Sequence, residues 1–214
     1  MSSELPPAAS SSLVDRVKNI LLNPKEEWAR IDAEPATVAS IFKSWVVPLA
    51  AIGPICVFLG QMLFGYSAFG ITYRPSFGFA LSGALTAYIG ALIGVFVMMQ
   101  VFNALAPNFG GQKNDVQAMK VAAYSCTAVW VAGVLAIVPA LATIGVLLGL
   151  YSLYLLWLGA PRLMRVPEDK AATYTIVAVL ATIVVFIVVG MLVGAVQGMF
   201  APRIPLSGGT ISVG

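Results

Sequence analysis

Long apolar runs alternate with short polar knots along the chain. Five runs lie near Trp45–Tyr66, Phe79–Val101 (extending toward Leu105), Met119–Val138, Leu141–Leu158 and Tyr174–Phe200. Each is long enough to cross a bilayer as a helix, which takes about 20 apolar residues. Little more than Pro139 separates the third from the fourth. From Val121 to Leu158 the stretch is about twice the length of one crossing, so the spacing predicts a tight hairpin at Pro139. Four spans with one re-entrant piece is the competing layout.

Ahead of these runs the pattern takes the helical period. Leu13, Val17, Ile20 and Leu21 form one apolar face, with Ser12 and Asp15 placed as a variant capping box. Asn23-Pro24-Lys25-Glu26 restarts the helix, and Trp28 and Ile31 continue an apolar face. The pattern predicts an amphipathic helical arm over residues 12–43, lying on the membrane surface or against the bundle with Trp28 at headgroup level. Residues 1–11 and 201–214 read as a disordered leader and tail. The leading residues show neither the basic region nor the apolar core of a signal peptide, and no lipidation motif is expected at either end. The resulting fold class is an all-α integral membrane protein: five transmembrane helices in a bundle over residues 44–200, preceded by a short N-terminal amphipathic helical arm.

Charge orients this layout. Arg16, Lys18, Lys25, Arg30 and Lys43 precede the first span. Lys113 and Lys120 follow the second, and Arg162, Arg165 and Lys170 follow the fourth. The alternate segments hold only Arg74 and Arg203. The positive-inside rule therefore predicts the N-terminus in the cytoplasm and the C-terminus outside. Merging spans three and four would move the three charges after Pro161 to the other side and weaken the asymmetry. The nine acidic residues fall on the same predicted cytoplasmic side, which makes those segments zwitterionic.

Composition narrows the chemistry. The chain is 59% hydrophobic and 10% charged, far from the roughly 25% charged residues of soluble domains. A net charge of +3 with no basic run argues against a nucleic-acid partner. Histidine is absent, which removes the commonest general base and metal ligand. Cys56 and Cys126 fall inside apolar runs at a spacing that matches no metal or redox motif, and no cofactor is expected. With Lys120 counted to the loop before span three, no ionisable side chain falls within a proposed span. That argues against proton coupling and against an intramembrane catalytic dyad. The amides and hydroxyls of the spans, among them Gln61, Asn103, Ser152 and Gln197, are expected to bond between helices.

Small residues recur at helix-packing intervals: Gly190, Gly194 and Gly198 in span five, Gly90 and Gly94 in span two, and Gly145 and Gly149 in span four. Such stripes let backbones approach within the bundle or, for span five, between two copies of the chain. The loop 106–120 carries Gly110-Gly111 without a phosphate-binding motif and reads as a flexible connector. The knot of Arg162, Arg165, Glu168, Asp169 and Lys170 around Pro161 and Pro167 reads as a cytoplasmic contact loop.

Three pieces resemble one family. They are Asn23-Pro24-Lys25-Glu26-Glu27-Trp28 with Glu34-Pro35-Ala36-Thr37, then Pro48-Leu49-Ala50-Ala51-Ile52, and above all Tyr151–Pro161 with its sequel Arg162–Ala171. Together they are similar to the compact prokaryotic members of the Yip (Ypt-interacting protein) domain family. The resemblance implies a five-span layout with the N-terminus inside, in a prokaryotic inner membrane. Eukaryotic relatives are associated with Rab-type GTPases and vesicle traffic, a partner not carried over to this chain. Two functions compete: a non-enzymatic membrane scaffold or organising factor that binds a cytoplasmic protein or anionic lipid, and a small transporter or channel for an uncharged or lipid-like solute. A membrane-embedded enzyme is a distant third.

Overall fold

The computed structural model describes residues 12–68 and 71–200. The expected disordered leader and tail lie outside the described residues. Within them, five helices are long and apolar enough to cross a membrane: Val38–Leu63, Phe77–Phe109, Asp115–Ile137, Thr143–Leu163 and Glu168–Met199, called spans one to five below. The molecule is an all-α membrane protein, and the turn between spans three and four falls at Pro139 as the spacing predicts. Two short helices, α1 (Leu13–Leu22) and α2 (Pro24–Ala33), precede the spans.

The spans overrun their apolar runs. Span one begins at Val38, ahead of Trp45, behind a capping box between Thr37 and Ser40. Spans two and five reach 33 and 32 residues. That is about 50 Å of helix against a hydrocarbon core of about 30 Å, so their ends project beyond it. Polar caps license these extensions. Ser76 accepts from the Phe79 N–H, Asn114 accepts from the Gln117 N–H, and Glu168 and Asp169 sit in the positive first turn of span five. Span one ends before Tyr66. Gly65, at φ 70°, turns the chain into a two-stranded ribbon, β1 (Tyr66–Ala68) against β2 (Ile71–Tyr73), with Tyr66 opposite Tyr73.

Span three is the axis of the bundle. Burial covers 61% of its most apolar window, against 17% for span five, so span three meets protein where span five meets lipid. Its inner residues are small: Ala118, Ala122, Ala123, Ala128 and Ala132 are all buried. The helix breaks at Cys126 and tightens to a 3-10 helix over Gly133–Ile137. This stretch leans on span one. A Cβ on Gly60 would stand 2.6 Å from the Ile137 carbonyl oxygen, and one on Gly133 would stand 2.8 Å from the Gly53 Cα. Only glycine permits backbone contacts that close.

Broken helices inside a bilayer need partners for the freed backbone groups. Span four supplies one: the Ser152 hydroxyl accepts from the Val129 N–H at 3.0 Å. Span two supplies another, Tyr88 donating to the Val47 carbonyl at 3.0 Å in the irregular opening of span one. Trp45 donates to Thr127, whose hydroxyl donates to the Tyr124 carbonyl beside the break. Ser152 thus makes an interhelical bond of the kind expected of the intramembrane polar residues. Ser152→Ala is expected to lower stability by about 1–3 kcal/mol, because it orphans a backbone donor. Reversible unfolding in detergent micelles measures it; an unchanged midpoint would show that Val129 has another acceptor.

Candidate functional site

The three charged segments of the chain meet at one end of the bundle. The arm does not lie loose on a surface. Ile20, Trp28 and Ile31 are buried against the spans, and the Trp28 ring lies on Gly159 of span four. A Cβ at Gly159 would stand 2.4 Å from the ring. Trp28 also meets Tyr124 of span three edge-on, with ring centroids 6.3 Å apart, and Tyr124 packs on Trp45 at 4.6 Å. Tyr151 fastens α1 by donating to the Leu21 carbonyl at 3.1 Å. Amphipathic spacing predicts this buried face, and of the two placements expected for the arm the structure shows the one against the bundle.

Charges complete the docking. Lys120 lies five residues inside span three and is 3% exposed, contrary to its assignment to the loop. Its ammonium donates to the carbonyls of Ile31 and Glu34, both at 2.6 Å, with the Asp32 carbonyl at 3.5 Å. These carbonyls close α2, where a helix leaves its C-terminal acceptors unpaired and its dipole negative. Arg16 bridges α1 to both ends of α2: it pairs with Glu27 at 3.2 Å and with Glu34, donates to the Tyr124 hydroxyl at 3.2 Å, and lies over that ring at 5.8 Å. Burial opposes the Arg16 charge. The Glu34 hydrogen bond and the neighbouring Tyr124, Glu34 and Glu27 outweigh it and hold the guanidinium above its ordinary value. Glu27 Oε2 has no hydrogen bond but lies 3.5 Å from Arg30.

The Pro161 loop is shorter than its charge pattern implies. Span four continues through Pro161 to Leu163, and span five starts at Glu168. The turn between them is a Schellman motif: the Val166 N–H bonds to the Pro161 carbonyl at 3.0 Å and the Arg165 N–H to the Arg162 carbonyl at 3.3 Å. Arg165 occupies the left-handed position, φ 55°, where glycine is usual. From there its guanidinium makes two 2.9 Å bonds to the Asp32 carboxylate, and Arg162 stands 3.7 Å from the same group. The 106–120 connector is docked as well. Gly110 takes φ 78°, the Gln112 N–H bonds to the Met164 carbonyl at 2.9 Å, and a Cβ on Gly111 would stand 2.6 Å from that oxygen. The two glycines serve a close backbone crossing, where a flexible connector was expected.

Of the residues singled out in the sequence, Arg162 and Arg165 thus face Asp32. Glu168, Asp169 and Lys170 are exposed on the first turn of span five. Gly90 and Gly94 of span two face Val193 and Val189 of span five, the Gly90 Cβ position lying 2.8 Å from Val193 Cγ2. Gly190, Gly194 and Gly198 have nothing within 4 Å of their Cβ positions. The two stripes do not meet. Sequence reading missed Asp32, Lys120 and the Trp28–Gly159 contact. A lysine breaking the first turns of an apolar run, and a glycine before Ala-Pro, were the available signals.

No group of three or more metal-ligating side chains occurs among the described residues. Fold and site together define a polytopic all-α membrane protein with a charged helical arm docked on one end of its bundle. The Yip1 domain family model matches residues 18–190, and the chain belongs to that family. It is 26% identical over 166 residues to the inner membrane protein YohC of Escherichia coli strain K12, across 76% of this chain and 85% of that protein. The same figures hold for YohC of Escherichia coli O6:H1 strain CFT073. No solved structure matches the chain.

Lys120→Met is expected to cost about 2–3 kcal/mol, since it strands buried carbonyls at the end of α2. It should also speed proteolysis at Arg30 in micelles. Lost stability without faster cleavage of the arm would sink the assignment of Lys120 as the arm's anchor.

Proposed function

We propose that this chain is a non-enzymatic multi-pass protein of a prokaryotic inner membrane that organises its surroundings through a preassembled cytoplasmic face. One observation carries the reading: arm, connector and hairpin are locked into a single unit through Trp28, Lys120 and Asp32. A surface held that firmly is pre-organised for contact, which lowers the entropic cost of binding. Around it Lys18, Lys25, Lys43, Lys113 and Lys170 are exposed, interspersed with Asp15, Glu26, Asp115, Glu168 and Asp169. The lysines of such a mixed rim suit an acidic cytoplasmic protein segment or an anionic lipid headgroup. The excess of Lys and Arg on this side supports an N-terminus in the cytoplasm, and the name of the Escherichia coli relative supports the inner membrane.

The docked geometry moves the contact role away from Arg162 and Arg165, which are committed to Asp32, toward the lysines that ring the unit. The competing reading, a small transporter or channel for an uncharged or lipid-like solute, draws on a cleft of about 460 Å³ lined by spans one, two, three and five, Val57, Ala87 and Phe186 among its residues.

In intact cells, a cysteine placed at Arg74 is expected to react with a membrane-impermeant thiol reagent, and one at Lys113 only after permeabilisation; the reverse pattern overturns the orientation. Replacing Lys25, Lys113 and Lys170 with Glu is expected to reduce crosslinking to cytoplasmic proteins and co-purification of anionic lipid about tenfold, with insertion intact. Unchanged recovery of both would reduce these charges to topology signals.

A further inference from the structure

The turn that joins α1 to α2 lies deeper along the bundle than the charged face above it. Tyr151, whose hydroxyl donates to the Leu21 carbonyl, stands twelve residues inside the end of span four at Leu163. That is about 18 Å along the helix. Helical side chains lean toward the start of their helix, so Tyr151 reaches away from the charged end. Two markers place the edge of the bilayer nearer that end. Tyr154 and Trp157 of span four are 42% and 46% exposed, aromatics of the kind that sit at headgroup level. The first large apolar side chain that span five exposes is Ile176, eight residues past Glu168 and so about 12 Å in. Leu21 is thus held on the hydrocarbon side of both. Its surroundings agree: Leu21 and Tyr151 border an apolar cleft with Ala128, Val131 and Leu148.

A turn at that depth needs partners for its backbone groups. The Leu21 carbonyl is one of the open acceptors at the end of α1, and Tyr151 fills it. The Asn23 N–H bonds to the Asn19 carbonyl at 2.7 Å, and the Asn23 carbonyl accepts from the Glu27 N–H at 3.1 Å. Pro24 has no N–H to leave unpaired. The side chains sort by polarity. Leu22, at the tip, is 66% exposed. Lys18, one turn earlier on the same stripe, and Lys25, three residues later, are exposed as well. Their long stems carry an ammonium from an apolar level up to phosphate. Of the acids nearby, Asp15 lies further from the tip and accepts from the Ser12 hydroxyl, and Glu26 sits in the positive first turn of α2.

We propose that the α1–α2 turn is a wedge in the lipid leaflet at the arm's end, where Leu22 enters the acyl chains while Lys18 and Lys25 rise to phospholipid phosphates. The partner is lipid because the tip lies below the headgroup aromatics of span four, a depth that a partner in water does not reach. The wedge deepens the reading of the charged face, on which it rests for Lys25, by giving Lys18 and Lys25 a lipid partner. Its test reads depth, so lost binding at Lys113 and Lys170 leaves it standing, and a shallow turn leaves those lysines their role.

Full-length protein carrying Cys56→Ala and Cys126→Ala, with one nitroxide label at a time, in phosphatidylethanolamine and phosphatidylglycerol vesicles provides the test. Electron paramagnetic resonance compares collisions with oxygen, which concentrates in hydrocarbon, and with a nickel chelate, which stays in water. At Leu22→Cys the oxygen-to-nickel ratio is expected to approach that at Ile176→Cys and to exceed that at Lys113→Cys about tenfold. A ratio equal to that at Lys113→Cys overturns the wedge. Tyr151→Phe is expected to lower the Leu22→Cys ratio about threefold, since the Leu21 carbonyl loses its donor; an unchanged ratio overturns the part given to Tyr151. Should the cysteine-free protein fail to fold, the natural chain decides. In the same vesicles a charged, water-soluble acylating ester is expected to modify Lys18 and Lys25 about fivefold more slowly than Lys113. Equal rates at the three lysines overturn the placement of Lys18 and Lys25 at phosphate.

Discussion

Lys120 needs partners, and the N-terminal arm provides them. A cation taken into a packed bundle retains its place only if its donors are satisfied. Here the acceptors are the last carbonyls of α2, which need donors for their own reason, because nothing follows them in the helix. Each side removes the other's penalty. The consequence spreads outward. With α2 seated on Lys120, Trp28 reaches Gly159, Asp32 faces Arg165, and Glu34 and Glu27 close on Arg16. Arg165 accepts an unfavourable backbone angle at the turn where its guanidinium meets Asp32.

Two kinds of packing divide the molecule. At the arm end the core resembles that of a soluble domain: Phe102, Met119, Leu163, Met164 and Tyr174 are all but inaccessible, and large side chains interlock. Water stands outside that core, so the hydrophobic effect drives its burial. Toward the other end, lipid replaces water and that drive fades. Contact there is made by glycine and alanine against backbone, at Gly53, Gly60 and Gly133. Spans three and four provide the walls on which the arm is buried.

Much of the fold was legible in sequence. Five apolar runs and Pro139 specified five spans, because a bilayer imposes length on any helix that crosses it. The cap at Ser12 and the amphipathic face of α1 also followed from local rules. The docking of the arm did not. An apolar helical stripe is equally suited to a headgroup layer and to a protein groove, since both offer an apolar plane, and periodicity cannot separate them. Lys120 was read as a loop cation because the boundary of a span was drawn at the edge of hydropathy. Helical hydrogen bonding carries on past that edge wherever caps and packing allow.

The glycine stripes separate most sharply what each level decided. Sequence alone determined the membrane class, the number of spans, the charge asymmetry and the presence of small residues at four-residue intervals. Tertiary structure decided which of those residues meet a neighbour. Span two presents Gly90 and Gly94 to Val189 and Val193 of span five, while Gly190 and Gly194, one position further on, meet nothing. One residue turns a helix by about 100°. The face that is packed and the face left to lipid are therefore set by the rotation of the helix in the bundle. That rotation depends on contacts distant in sequence, and no local spacing encodes it.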